Sequence, residues 1–188
     1  MSFSLLGRHF LRRVSTSAFL FALALLVLAD PRPGRGQCLP LEVLTAAAVA
    51  GGPPAAAASL RAQLPTGDWE SSATGTAAPF WQFVPGPDEK SPADALPTRL
   101  ELRRVNQEPT ADVVLKTSRR ACLTELRAAL RRAGLKPEPV TCPQCVAERF
   151  STPTYSVTLY QQPDNFAAGK APYPYLVVVH PLAAGSGK

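Results

Sequence analysis

Cys38, Cys122, Cys142 and Cys145 are the only thiols in this 188-residue chain, and two of them sit in the segment Cys142-Pro143-Gln144-Cys145. Cysteines at that spacing can bridge each other, or can serve as attacking and resolving thiols if the first is held as a thiolate. A zinc centre would need a second ligand pair at usable spacing, which a lone C-x-x-C does not provide, so no metal is expected. Acid-base chemistry is poorly supplied. The only histidines are His9 and His180, and His180 closes the apolar run Tyr175 to His180, where it reads as a satisfied sheet-edge residue. Asp68/Glu70 and Asp88/Glu89 are available for glycoside hydrolysis, but no feature sets two carboxylates across a cleft. The terminal Gly185-Ser186-Gly187-Lys188 is like the end of a phosphate loop, with Leu182 where the first glycine belongs and no helix to follow. It reads as a flexible tail over 183–188, and no cofactor is expected.

A C-x-x-C with proline at its second position resembles the redox motif of the glutaredoxin and disulfide-oxidoreductase branches of the thioredoxin fold. That resemblance covers four residues. It implies that Cys142 attacks, that Cys145 resolves, and that a helix N-terminus stabilises the first thiolate. Around the motif, Pro153 allows at most two turns of following helix, and no strand-helix-strand pattern encloses it. A structural disulfide is the expectation, and a periplasmic thiol-disulfide oxidoreductase is the competing one.

The compartment follows from the first 36 residues. Arg8, Arg12 and Arg13 precede an unbroken apolar stretch of twelve residues, Ala18 to Ala29. A membrane-spanning helix needs about 20 apolar residues, so this run suits a secretory signal. Small residues permit cleavage after Ala29 or after Gly36. Asp30-Pro31 disfavours the first, so Gly36 is preferred, leaving Gln37 at the new N-terminus. The alternative is an uncleaved N-terminal segment anchoring the chain, the only membrane contact expected. The formal charge of +6 changes meaning accordingly. Residues 1–36 hold five arginines against Asp30, a net +4, so +2 remains and a nucleic-acid partner is not expected. Secretion or a periplasmic location also favours disulfides among the four cysteines.

The remaining sequence, 46% hydrophobic and 18% charged over the whole chain, must position these groups. Cys38 to Leu64 reads as a helix interrupted by Gly51-Gly52-Pro53-Pro54, with Leu41, Leu44 and Ala48, then Ala57, Leu60 and Leu64, on its buried faces. A second helical region runs from about Arg119 to Ala133, with Ser118 as N-cap, Leu123, Leu126 and Leu130 as its stripe, and Gly134 and Pro137 as its stop. Alternation marks strands at Thr98 to Val105 and Tyr155 to Tyr160, while Tyr175 to His180, apolar on both faces, suits a central strand. Gly67 to Ser72, Pro79 to Val84, Ala111 to Lys116 and Val146 to Ser151 are further strands. Pro85 to Pro97 and Gln162 to Pro172 read as exposed loops.

Cys38-Leu39 and Cys122-Leu123 open the two helical regions, each with a glutamate behind it, Glu42 and Glu125, and each region is followed by about four strands. The expected fold is α+β, helices packed on antiparallel sheet, a tandem α-β4 duplication with halves at 37–118 and 119–182. Its layout resembles that of secreted inhibitor and binding proteins. Four cysteines allow three pairings. Equivalent helix starts favour Cys38–Cys122, which leaves Cys142–Cys145. Arg120, Arg127 and Arg131 fall on one helix face, where a solvated stripe or an acidic partner would meet them, and Tyr160 is the best exposed aromatic. These readings converge on an exported, non-enzymatic module that binds a protein or glycan through its sheet face or loops.

Overall fold

The computed structural model describes residues 37–72, 79–85, 96–104, 109–162 and 173–182. The segment expected to be an N-terminal signal, most of both expected loops, Asp88/Glu89 and residues 183–188 lie outside the described residues. Within them are three helices and one eight-stranded antiparallel sheet.

Helix α1 (Leu41–Val49) starts after Pro40, with Glu42 in its first turn where the helix dipole favours an acid. Gly51, at φ 111°, takes the left-handed conformation that ends it. Helix α2 (Pro53–Gln63) opens on two prolines, which cost nothing where N–H groups have no intrahelical partner. Between them α1 and α2 bury Leu41, Leu44, Ala47, Ala48, Ala56, Ala57 and Leu60. Helix α3 (Arg120–Arg132) buries Cys122, Leu123, Leu126 and Leu130. Its stop is a Schellman motif: Leu135 N–H donates to Leu130 O, Gly134 N–H donates to Arg131 O, and Gly134 adopts φ 79°. Its start differs from expectation. Ser118 does not cap the helix; its hydroxyl donates to Leu96 O, and the Thr117 hydroxyl accepts from Arg119 N–H.

The strands are β1 (Trp69–Ser72), β2 (Phe80–Phe83), β3 (Arg99–Arg104), β4 (Ala111–Thr117), β5 (Glu138–Val140), β6 (Val146–Ser151), β7 (Tyr155–Gln161) and β8 (Tyr175–Pro181). Their order across the sheet is β1-β2-β3-β4-β8-β7-β6-β5, two four-stranded meanders joined by the β4–β8 pairing. Seven of these coincide with the segments expected from pattern. The eighth, β5, has no period to read, and Pro139 fits there because β5 is an edge strand.

Side chains pointing to one side of the strands, including Trp81, Leu100, Leu102, Val113, Leu115, Phe150, Val157, Leu159, Val177 and Val179, share a single hydrophobic cluster with Leu44, Leu60 and Leu130 of the helices. Burial of that much apolar surface is the main favourable term in folding. Cys38 is bonded to Cys122 and Cys142 to Cys145, with Cα separations of 4.9 and 5.2 Å. The first bridge ties the segment before α1 to the first turn of α3. The second closes a turn between β5 and β6. Two disulfides belong with an oxidising, extracellular environment. No helix among the described residues is long and apolar enough to cross a membrane.

Candidate interaction face

The other side of the sheet carries the polar groups. Strand β3 alternates, sending Leu100 and Leu102 to the cluster and Arg99, Glu101 and Arg103 away from it. Pairing with β4 sets Arg99 opposite Lys116, Glu101 opposite Val114 and Arg103 opposite Asp112. Pairing of β4 with β8 and of β8 with β7 extends these rows through Leu176 to Tyr160 and through Val178 to Thr158.

Three cations converge on one carboxylate. Lys116 Nζ lies 2.6 Å from Glu101 Oε1, and Arg103 donates to Oε2 from both Nε and Nη2, at 3.2 and 3.1 Å. Arg99 Nε is 2.9 Å from Oε1 but is not aligned as a hydrogen bond, so that contact is ionic rather than directional. The Arg99 guanidinium also lies 3.8 Å from the centre of the Phe80 ring, within cation-π range. Burial of Glu101 pushes its pKa up, but hydrogen bonding and charge from Lys116 and Arg103 outweigh this and hold it below the ordinary 4.5. Beside this group Tyr173 donates to Pro97 O at 3.1 Å. Burial lifts the Tyr173 pKa above its ordinary 10.0, with Arg99 opposing and Glu101 adding.

The next row holds the one described histidine. His180 Nδ1 is 2.7 Å from Asp112 Oδ1. Strand β8 lies between β4 and β7, so His180 is not a sheet-edge residue; it is satisfied by a carboxylate on the neighbouring strand. Ser156 stands opposite His180 in the register but is only 8% exposed, and its backbone is committed to the β7–β8 pairing. This is not the geometry of an activated hydroxyl within reach of substrate.

The other singled-out residues disperse. Arg127 is not on a solvated stripe; it is half-buried, its Nε 2.9 Å from Glu148 Oε2 on β6, while Arg120 and Arg131 are exposed. Tyr160 is half-buried between Ala147 and Leu176, not freely exposed. Cys145 leads directly into β6, so no helix N-terminus follows the Cys142-Pro-Gln-Cys145 turn to favour a thiolate. Asp68 and Glu70 flank the start of the edge strand β1. Among the described residues no cluster of three or more His, Cys, Asp or Glu side chains could hold a metal ion. The Glu101 cluster escaped the sequence reading because Lys116 reaches Glu101 only through strand pairing; the alternation Arg99-Glu101-Arg103 was its visible half.

Comparison of the chain with protein-family models, with curated proteins and with solved structures finds no match.

Proposed function

We propose that this is an exported, non-enzymatic binding module that holds a macromolecular partner against the sheet face centred on Glu101. The observation that carries this is the convergence of Arg99, Arg103 and Lys116 on a single carboxylate, with Asp112 already engaged by His180. Arg99, Arg103 and Lys116 against Glu101 and Asp112 leave this face cationic by one charge, and Arg103 and Lys116 are preordered by hydrogen bonds to Glu101. Leu176, Val178 and Tyr160 extend it as an apolar and aromatic strip on adjacent strands. Cations fixed beside an apolar strip suit a protein partner that presents carboxylates next to a hydrophobic side chain.

The export reading rests on the basic-then-apolar N-terminus and is supported by the two disulfides. We take the helices to form a layer on one side of the sheet and the two meanders to descend from a tandem duplication. The shared hydrophobic cluster and the reciprocal strand order support that view. The thiol-disulfide oxidoreductase reading has against it the strand that follows Cys145; Cys142→Ser should leave insulin reduction at background.

The test is a binding titration of the mature protein against a polyglutamate probe at several salt concentrations. Charge reversal at Arg103 and Lys116 should abolish salt-sensitive binding, whereas reversal at Arg120 and Arg131 should preserve it. Equal loss from both pairs would reduce the interaction to net charge and overturn the assignment of this face.

A further inference from the structure

A chain of hydroxyls below α3 ends on Gln37. Arg119 N–H donates to Thr117 Oγ1 at 3.1 Å, Thr117 and Thr98 share a 3.0 Å hydrogen bond, and Thr98 Oγ1 donates to Gln37 Oε1 at 3.2 Å. Each threonine has one hydroxyl proton. Once Thr98 gives its proton to Gln37, Thr117 supplies the proton between the two threonines. Cys122 Sγ, 3.9 Å from Thr117 Oγ1, competes for that proton as a longer and weaker acceptor; with Thr98 donating to Gln37 Oε1, the chain ends on an acceptor at position 37. Thr98 and Thr117 are 0% exposed and Gln37 is 2% exposed, so water is not available as a substitute.

Cleavage after Gly36 would create a new α-amino group on Gln37, the residue whose side chain ends this buried chain. An α-ammonium ordinarily remains protonated below about pH 8 and is expensive to remove from water. We propose that Gln37, as the mature N-terminus, is converted to pyroglutamate. This inference rests on the export reading and goes beyond it. In the reaction the α-nitrogen attacks Cδ of its own side chain. The N–Cδ bond forms, the Cδ–Nε2 bond breaks, and Nε2 takes a proton from the α-amine and departs as ammonia. Nothing is oxidised or reduced. The ring that results is a neutral lactam, and it retains Oε1, the atom to which Thr98 donates. Cyclisation removes the charge that burial penalises and keeps the acceptor that the threonine chain requires. Because Cys38 is bonded to Cys122 immediately beside the site, ring closure belongs to the stage after cleavage and before this end of the chain docks.

The test uses the full 188-residue chain expressed with its own N-terminus in a eukaryotic secretory host and purified from the medium. Peptide mass spectrometry should find a mature chain beginning at residue 37 and lighter by one ammonia. It should be blocked to Edman degradation and opened by pyroglutamyl peptidase only after reduction and unfolding. A secreted chain beginning at Gln37 with a free amine would overturn the modification while leaving export intact. A chain starting elsewhere, or retained in the cell, would overturn the export reading at Gly36 and the modification with it. Gln37→Asn cannot close the five-membered lactam; it should be secreted with a free N-terminus and unfold at lower urea. An unchanged midpoint would show that the lactam does not serve the buried chain as argued.

Discussion

The two disulfides should differ sharply in what they contribute, and the difference can be worked from their loops. Cys38 and Cys122 are 84 residues apart, whereas Cys142 and Cys145 are three apart. In the chain-entropy account, closing the long loop removes about 4.6 kcal/mol of denatured-state freedom at 25 °C, and closing the short one about 2 kcal/mol. The packing runs in the same direction. Cys122 is fully buried beside the Thr117 hydroxyl, 3.9 Å from its sulfur, whereas Cys142 and Cys145 are partly exposed in a turn. With a urea m-value of about 2 kcal/mol/M, replacing Cys38 and Cys122 by alanine should lower the midpoint by about 2 M, and replacing Cys142 and Cys145 by about 1 M. The assay is urea unfolding of both double variants and the parent, followed by tryptophan fluorescence from Trp69 and Trp81. Each m-value should be fitted separately, because losing the long bridge also expands the denatured state. A short-bridge variant that loses as much stability as the long-bridge variant would refute the reasoning. So would a long-bridge variant within about 1 kcal/mol of the parent.

Three further outcomes follow from individual groups. Glu101 titrates below its ordinary 4.5 when folded, so its contribution is present above that value and is lost as the pH falls through the folded pKa. The stability gap between the parent and Glu101→Gln should therefore be wide at neutral pH and close in acid, and a gap independent of pH would contradict the assigned ion pairs. Gly134→Ala should cost about 1 kcal/mol, measured by thermal unfolding, because alanine is strained at φ 79° although its methyl would meet nothing within 4 Å. Gly134→Asn should recover part of that loss. Tyr173→Phe should cost about 1 kcal/mol through the hydrogen bond to Pro97, and near-UV titration should lose a phenol that ionises above 10.0.

What could be read from the sequence was local. Period-two alternation marks β3 and β7, the spacing of Leu123, Leu126 and Leu130 marks α3, and Gly134 marks its end, because each is dictated within a few residues. Alternation gives the faces of a strand but not the identity of its neighbours. On alternation alone Glu101 falls on the outward face of β3 as a solvated acid, although strand pairing brings Lys116 to it from 15 residues downstream. Arg127 read as part of a basic stripe until β6 supplied Glu148, 21 residues away. Ser156 and Thr158 sit on the outward phase of β7 yet are buried: they are short side chains, and their cross-strand neighbours include His180 for Ser156 and Arg149 and Val178 for Thr158. Ser118 does not cap α3 because its hydroxyl is drawn to Leu96, 22 residues before it, and no side chain takes the cap in its place.

The Glu101 group raises a question of economy that bears on the proposed face. A half-buried carboxylate needs one well-placed cation to offset its desolvation, and Lys116 at 2.6 Å already supplies it. Arg103 and Arg99 add little to the stability of an exposed pair, since such contacts rarely exceed about 1 kcal/mol. They do order two guanidinium groups at the surface. Arg103 directs Nε and Nη2 at Glu101, which leaves donors of its planar fork for a second acceptor, and Arg99 is held flat against Phe80. Side chains ordered before binding lose less entropy when a carboxylate arrives. Glu101 thus acts as a template: it neutralises one cation and orients the other two. On this argument Glu101→Gln should weaken polyglutamate binding even though it makes the face more positive. Tighter binding by that variant would show that charge, and not orientation, governs the face.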